Sequence, residues 1–311
     1  EKKLSKDHEI YSNKLRDKKK KFQEELDYAE KQVKMFQNKS NMNEAENFIQ
    51  ELEDIARKLE LFQEEKVKIN REEMLLGQEV MSQYGQIQAI TTAREPYEKL
   101  WRTAVTFHKE HDNWMNGPLL KVNAEVVDEE VQNLWKTAYK LTKQFAHPDF
   151  RGPKTAAIKI KTRLETFKIH MPLINALCNP GIKKRHWDMM NEKVGFNMAP
   201  NEETPLQEIL KLDLDKYLDV LQEISSQASK EFALEKALEK MKSDWQNIHF
   251  SFVPYKDTGI SILSSPEDIQ VLLDDHIVKT TTMKGSPFIA PFEVAVNEWD
   301  NLLVCILNVH F

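Results

Sequence analysis

Glycine and proline are scarce in this chain, 8 and 12 among 311 residues, which disfavours a turn-rich sheet protein and leaves long helices as the economical way to order the backbone. Cysteine is nearly absent. Cys178 and Cys305 are too few for a disulfide framework and too far apart for a metal-binding pair, so a reducing, intracellular setting is expected. No apolar run approaches the ~20 residues of a membrane span, and the first residues, Glu1-Lys2-Lys3, lack the apolar stretch of a signal peptide. A soluble segment of a longer protein is expected. The net charge of -6 supplies no overall basic character, which argues against a nucleic-acid partner.

What is present is charge, 30% of residues, and helical periodicity. Phe22, Leu26, Ala29, Val33 and Phe36 follow a 4-3-4-3 spacing that keeps one seam toward a partner helix. Asn38 to Asn43 interrupt it with residues that favour caps over helix interiors. The rhythm resumes, phase-shifted, at Phe48, Leu52, Ile55, Leu59 and Phe62, so an antiparallel helical hairpin is expected, whose second helix, Glu44 to about Thr91, spans roughly 70 Å. Lys18 to Lys21 lie all around the first helix among Asp17, Glu24, Glu25 and Asp27 and read as a solvated face.

Pro96 predicts a new helix, since proline fits a first turn better than an interior. It divides the chain into a coiled-coil-like part, residues 1–95, and a second helical part, residues 96–311. Trp101, Trp114 and Trp135 are expected in the core. Asn179 followed by Pro180 predicts a short helix that stops at Gly195. That helix carries four basic or titratable residues in succession, Lys183, Lys184, Arg185 and His186, ahead of Trp187. His186 falls on the apolar face with Ile182, Met189 and Met190, while the other three point elsewhere. Cations at a helix start oppose its dipole, so an acidic neighbour and a structural joint are expected here. Thr204-Pro205-Leu206-Gln207 has capping-box spacing, and a long helix follows from near Asp215 to Trp245. Only His249 to Leu263 changes to period two, around Lys256-Asp-Thr-Gly259, which predicts one β-hairpin; being marginal alone, it should pack on helices. Ser265 and Pro266 predict the start of the next helix. The fold class is thus all-α, elongated helical bundles with one small β-hairpin insertion.

Catalytic patterns are missing. A phosphate-cradling loop needs Gly-x-x-x-x-Gly-Lys-Ser/Thr, and Gly152-Pro-Lys-Thr155 lacks the first glycine and one amide donor. His108 and His111 share a helix face without a third ligand, Cys178 and His186 lack an orienting group, and Asp274-Asp275 sit in a charged helical context. No cofactor, metal or catalytic residue is assigned.

Several separated pieces resemble the linker region of dynein heavy chains, of the axonemal, inner-arm type: Pro96-Tyr-Glu-Lys-Leu-Trp101, Leu177 to Trp187 with its Arg-His-Trp, Ala228-Ser-Lys-Glu231 with Leu238 and Trp245, the hairpin at 250–263, Leu272-Leu-Asp-Asp275, and Ser286-Pro-Phe288 before Trp299. The resemblance implies a helical lever lying across a ring of AAA+ modules and moved by their ATP turnover, with residues 1–95 as the end of the tail. It implies as partners the AAA+ ring of the same heavy chain and dynein intermediate and light chains, with the microtubule reached only indirectly, no membrane and no nucleic acid, in the cytoskeleton of the ciliary axoneme. It carries no catalytic residue of the motor. Family linkers continue with more amphipathic helix where this sequence ends at Val304 to Phe311. The expected contact surface is Lys183, Lys184 and Arg185 or the hairpin with Tyr255 and Lys256. A plain helical scaffold is the alternative, but such proteins repeat at a regular period, and no repeat is found.

Overall fold

The computed structural model describes residues 2–264 and 267–310, so the expected cap at Ser265-Pro266 lies outside the described residues. Among these residues the chain forms eleven α-helices and one two-stranded antiparallel sheet. By packing it divides into two compact units, 1–117 with 125–171, and 118–124 with 172–311.

The first unit begins with the expected hairpin. α1 (Lys2–Met35) and α2 (Ala45–Leu75) bury their stripes, with Leu26, Ala29 and Leu52 fully enclosed. Phe22 meets Phe62 at 5.6 Å and Phe36 meets Phe48 at 6.2 Å between ring centroids, a register only an antiparallel pair can give. The reversal is made of two short 3-10 turns, and Asn41 Oδ1 accepts from the Asn43 amide at 3.1 Å. Of the lysine run, Lys18 Nζ donates to Glu65 and Glu72 at 2.9 and 2.8 Å and Lys19 to Glu73 at 2.5 Å, so two of the four hold α1 to α2.

α2 ends sooner than its periodicity predicts. Gly77 adopts a left-handed φ of 74° and its amide bonds the Met74 carbonyl, a helix stop that glycine alone makes at no steric cost. The fully buried Glu73 then fixes the return, accepting from the Ser82 amide at 2.8 Å as well as from Lys19. α3 (Gly85–Asn116) packs on both helices and runs straight through Pro96, which corrects the expected helix start there. The carbonyl freed by the missing proline N–H belongs to Thr92, an exposed residue, where water can take its place. Trp101 is fully buried with Phe48 at 4.7 Å, and Trp114 is buried with Phe167 at 5.0 Å. Trp135, expected in the core, is only half-buried on α4 (Ala124–Gln144); its Nε1 donates to Glu165 at 3.1 Å. α5 (Arg151–Ile169) starts against the α1–α2 turn: a Cβ on Gly152 would come within 2.5 Å of the Asn38 carbonyl carbon. The glycine that the sequence excluded from a phosphate loop is a packing contact.

The second unit contains α6 from Pro172 onward (α6 is Met171–Leu177), α7 (Lys184–Val194), α8 (Leu206–Leu210), α9 (Leu218–Asp244), α10 (Glu267–Lys284) and α11 (Glu293–His310). Gly195 ends α7 with φ 88°, as expected. Thr204 does not cap α8: its hydroxyl accepts from the Asn201 amide at 2.9 Å instead. One core joins α9, α10 and α11 through Leu238, Met241, Leu273, Met283, Val296, Trp299 and Leu303. β1 (Ser251–Pro254) pairs with β2 (Ser261–Ser264), Val253 opposite Ile262. The expected packing on helices is not seen among the described residues, where Phe252 is 64% and Ile260 63% exposed and only the end of β2 is half-buried. Its register is held by its own turn, where the Tyr255 amide donates to Ile260 O at 2.7 Å.

Candidate functional site: a buried carboxylate under a basic helix start

Asn179 was expected to cap α7, yet the helix begins five residues later. Asn179 Oδ1 accepts from the Gly181 amide at 2.8 Å, forming a turn of its own, while Nδ2 donates to Ser225 O at 2.8 Å and Ser229 Oγ at 2.6 Å on α9. Gly181 lets this turn lie flat on α9; a Cβ there would come within 2.6 Å of Ala228 O and 2.9 Å of the Phe232 Cβ. The chain thus enters α7 already fastened to α9.

The basic run is then sorted by side chain. Arg185 Nε donates to Glu231 Oε2 at 2.8 Å, its Nη2 bonds the same oxygen, and the guanidinium lies over the Phe292 ring at 5.6 Å. His186 is fully buried. Its Nδ1 accepts from the Lys183 amide at 3.0 Å, which closes the first turn of α7, so Nε2 carries the proton and donates to Glu231 Oε2 at 3.0 Å. Gln227 fills the other oxygen at 2.8 Å. Lys183 is exposed and pairs with Glu235 at 3.1 Å. Lys184 is exposed and forms no ion pair among the described residues. Tyr255 and Lys256 sit at the hairpin turn, exposed, with Lys256 Nζ 5.3 Å from the Tyr255 ring centroid; no hydrogen bond, ion pair or ring contact among the described residues joins them to the α7 cluster.

Burial alone would push the Glu231 carboxyl up. The hydrogen bonds from Gln227 and Arg185 and the positive charge beside it prevail and hold it below the usual carboxylate range. Burial is the main cause that lowers His186, reinforced by Arg185 and Lys183 and opposed by Glu231, which agrees with the neutral tautomer the hydrogen bonds require. This is the acidic neighbour predicted for the basic run. Glu231 itself was read only as part of a motif; its signal was the acidic i, i+4 pair Glu231 and Glu235 on α9.

A second buried histidine lies in the same unit. His276 Nδ1 accepts from Trp245 Nε1 at 2.9 Å and its ring lies 6.4 Å from that of Trp299; burial lowers its pKa. Of the separated pieces singled out in the sequence, the Arg-His-Trp run meets Ala228 to Glu231 at Glu231, and Trp245 and Trp299 flank His276, whereas Pro96 to Trp101 lies in the first unit. Burial pushes the Cys178 thiol up to about 12, away from the thiolate form. His111 lies between the rings of Phe107 and Phe167, at 5.4 and 5.7 Å. No group of three His, Cys, Asp or Glu side chains among the described residues could hold a metal, and no described helix is long and apolar enough to cross a membrane.

Fold and site together define a helical structural segment whose polar clusters fasten helices to one another. The family model described as Dynein heavy chain, N-terminal region 2, matches residues 87–310. Dynein axonemal heavy chain 3 of Mus musculus is 44% identical over 285 residues, 91% of this chain, and its Homo sapiens counterpart 40% over 287 residues. Dynein axonemal heavy chain 1 of Mus musculus is 33% identical over 282 residues. The chain belongs to the dynein heavy chain family, and it spans about 7% of the length of these relatives.

Proposed function

We propose that residues 96–311 serve as the linker of an axonemal dynein heavy chain, the mechanical arm that passes ATP-driven changes in the AAA+ ring to the tail, and that residues 1–95 form the adjoining end of that tail. The observation that carries this reading is the family match over 87–310 in a chain aligned along 91% of its length with axonemal heavy chains. The partners in this reading are the AAA+ ring of the same heavy chain and, on the tail side, intermediate and light chains; the microtubule is reached only indirectly, within the ciliary axoneme. Nucleotide chemistry belongs to the ring, and this segment contributes no catalytic residue.

Two features support a lever. The α7–α9 joint is over-determined, with a turn, a glycine contact and a four-donor carboxylate all fixing one arrangement, so displacement at one helix is passed to the other. The hairpin offers an apolar surface, Phe252, Val253 and Ile260, that stays exposed among the described residues. A lever reports nucleotide state only if its arrangements differ in contact energy with the ring by a few kcal/mol. We assign those contacts to the hairpin with Tyr255 and Lys256 and to the outer edge of α7, Lys183 and Lys184; Arg185 of the expected surface faces inward to Glu231.

The test is a full-length motor carrying Lys183→Glu and Lys184→Glu, or Tyr255→Ser with Lys256→Glu. Slower microtubule gliding with ATP turnover no longer coupled to it is the expected result. Wild-type gliding and coupling in both variants would refute the ring-facing assignment.

A further inference from the structure

Charge is distributed unevenly in a way the linker reading does not use. Between residues 136 and 170 the chain has nine Lys and Arg against Asp149 and Glu165, a net of +7, whereas the other 276 residues have 35 against 48, a net of -13. This stretch is the second half of α4, the turn after it, and α5. Elsewhere ion pairs within a unit are more frequent, as Lys18 and Lys19 make with three glutamates and Arg185 with Glu231. Here Lys161, with Glu165 at 3.2 Å, is the one of the nine that forms an ion pair among the described residues.

Helix dipoles do not account for the pattern. They favour Lys143 and Lys168 in the last turns of α4 and α5, but Arg151 and Lys154 occupy the first turn of α5, where cations are disfavoured and no acidic residue stands. Like charges gathered this way self-repel within the fold and present a field of one sign to an outside partner.

The face also has a shape. A groove of about 310 Å³ lies between α4 and α5, floored by Tyr139, Ala146 and Ile158 and rimmed by Lys143, Lys154 and Lys161. Tyr139 is 41% and Ile158 45% exposed. Lys154 Nζ, donating to Ala146 O at 3.4 Å, is held at the rim. An apolar floor large enough for one side chain, ringed by three cations, is complementary to an apolar residue flanked by carboxylates.

We propose that this groove docks an acidic polypeptide segment, rich in Glu or Asp and anchored by one aliphatic side chain. A nucleic acid fits less well. The Tyr139 ring is already stacked on Trp135 at 5.4 Å and has Lys143 Nζ 5.5 Å from its centroid, neighbours with which a base would have to compete for stacking. This surface is separate from the ring-facing edge assigned above, and its failure would leave that assignment standing.

The experiment is fluorescence anisotropy on the whole chain, with a labelled polyglutamate peptide carrying one central leucine. Binding is expected in the micromolar range at low salt and should weaken as salt rises. Lys143→Glu with Lys154→Glu and Lys161→Glu should reduce it at least tenfold, while Lys242→Glu, an exposed lysine in the other unit, leaves it unchanged. Replacing the peptide's leucine by serine should weaken binding several-fold. Far-UV circular dichroism of each variant establishes that it is folded, and the milder Lys→Gln triple should give an intermediate loss. No binding below about 1 mM, equal binding by the reversed variant, or tighter binding of a single-stranded oligonucleotide of the same charge would each overturn the proposal.

Discussion

Two basic regions of this molecule look alike in sequence and differ in what surrounds them. Arg185 and His186 meet the buried Glu231 of α9 and hold α7 in place, with Lys183 paired to Glu235 at the surface; the lysines of α4 and α5 meet almost no carboxylate. Composition cannot separate the two cases, because the difference lies in whether a partner carboxylate comes from the same unit. The comparison teaches that a charged run is structural where its countercharges are built in and available for recognition where they are not.

The comparison breaks most visibly at Glu231. Glu231→Ala leaves a buried histidine and a guanidinium without their acceptor, and urea denaturation should show a loss of about 3–5 kcal/mol. Gly181→Ala is expected to cost about 1–3 kcal/mol by forcing the turn off α9, a change visible in the thermal midpoint; Gly152→Ala probes the equivalent close approach in the first unit.

The joint also sets a pH dependence. His186 and Glu231 both have folded pKa values below their unfolded ones, so their stabilisation is present above the unfolded pKa and is lost as pH falls through the folded one. For His186 that decline starts below about pH 6.5 and for Glu231 below about 4.3. His186→Gln should flatten the stability profile between pH 6.5 and 5, as should His276→Gln, whose histidine is lowered by burial too. An unchanged profile in both variants would contradict the neutral buried histidines. At the small end, Lys183→Gln removes an exposed pair, and Phe252→Ser alters a largely exposed side chain; each should stay within about 0.5 kcal/mol of wild type.

Much of the fold was legible. The 4-3-4-3 stripe, its phase shift, the glycine stop after α7 and the alternation of the hairpin are local signals, and the structure follows them. What was not legible depended on tertiary partners. Pro96 lies inside α3 because its orphaned carbonyl is on a solvent-facing turn, and Gly77 breaks a helix whose apolar rhythm continues on either side. Asn179 and Thr204 each had an alternative hydrogen bond, to Gly181 and Asn201, that a cap prediction does not weigh. The basic helix start was recognised as a joint from the face His186 occupies, but the residue it closes on lies 45 positions away on α9, a separation no periodicity encodes. The hairpin was placed correctly and its surroundings were not, since a strand pattern states which residues alternate and not what covers them.

The claim on which the rest depends is that α7 and α9 are bonded through one buried carboxylate. A double-mutant cycle of His186→Ala and Glu231→Ala, read by urea denaturation, tests it directly. The two side chains should couple by about 1–3 kcal/mol; additivity within about 0.3 kcal/mol would mean that the joint is not there.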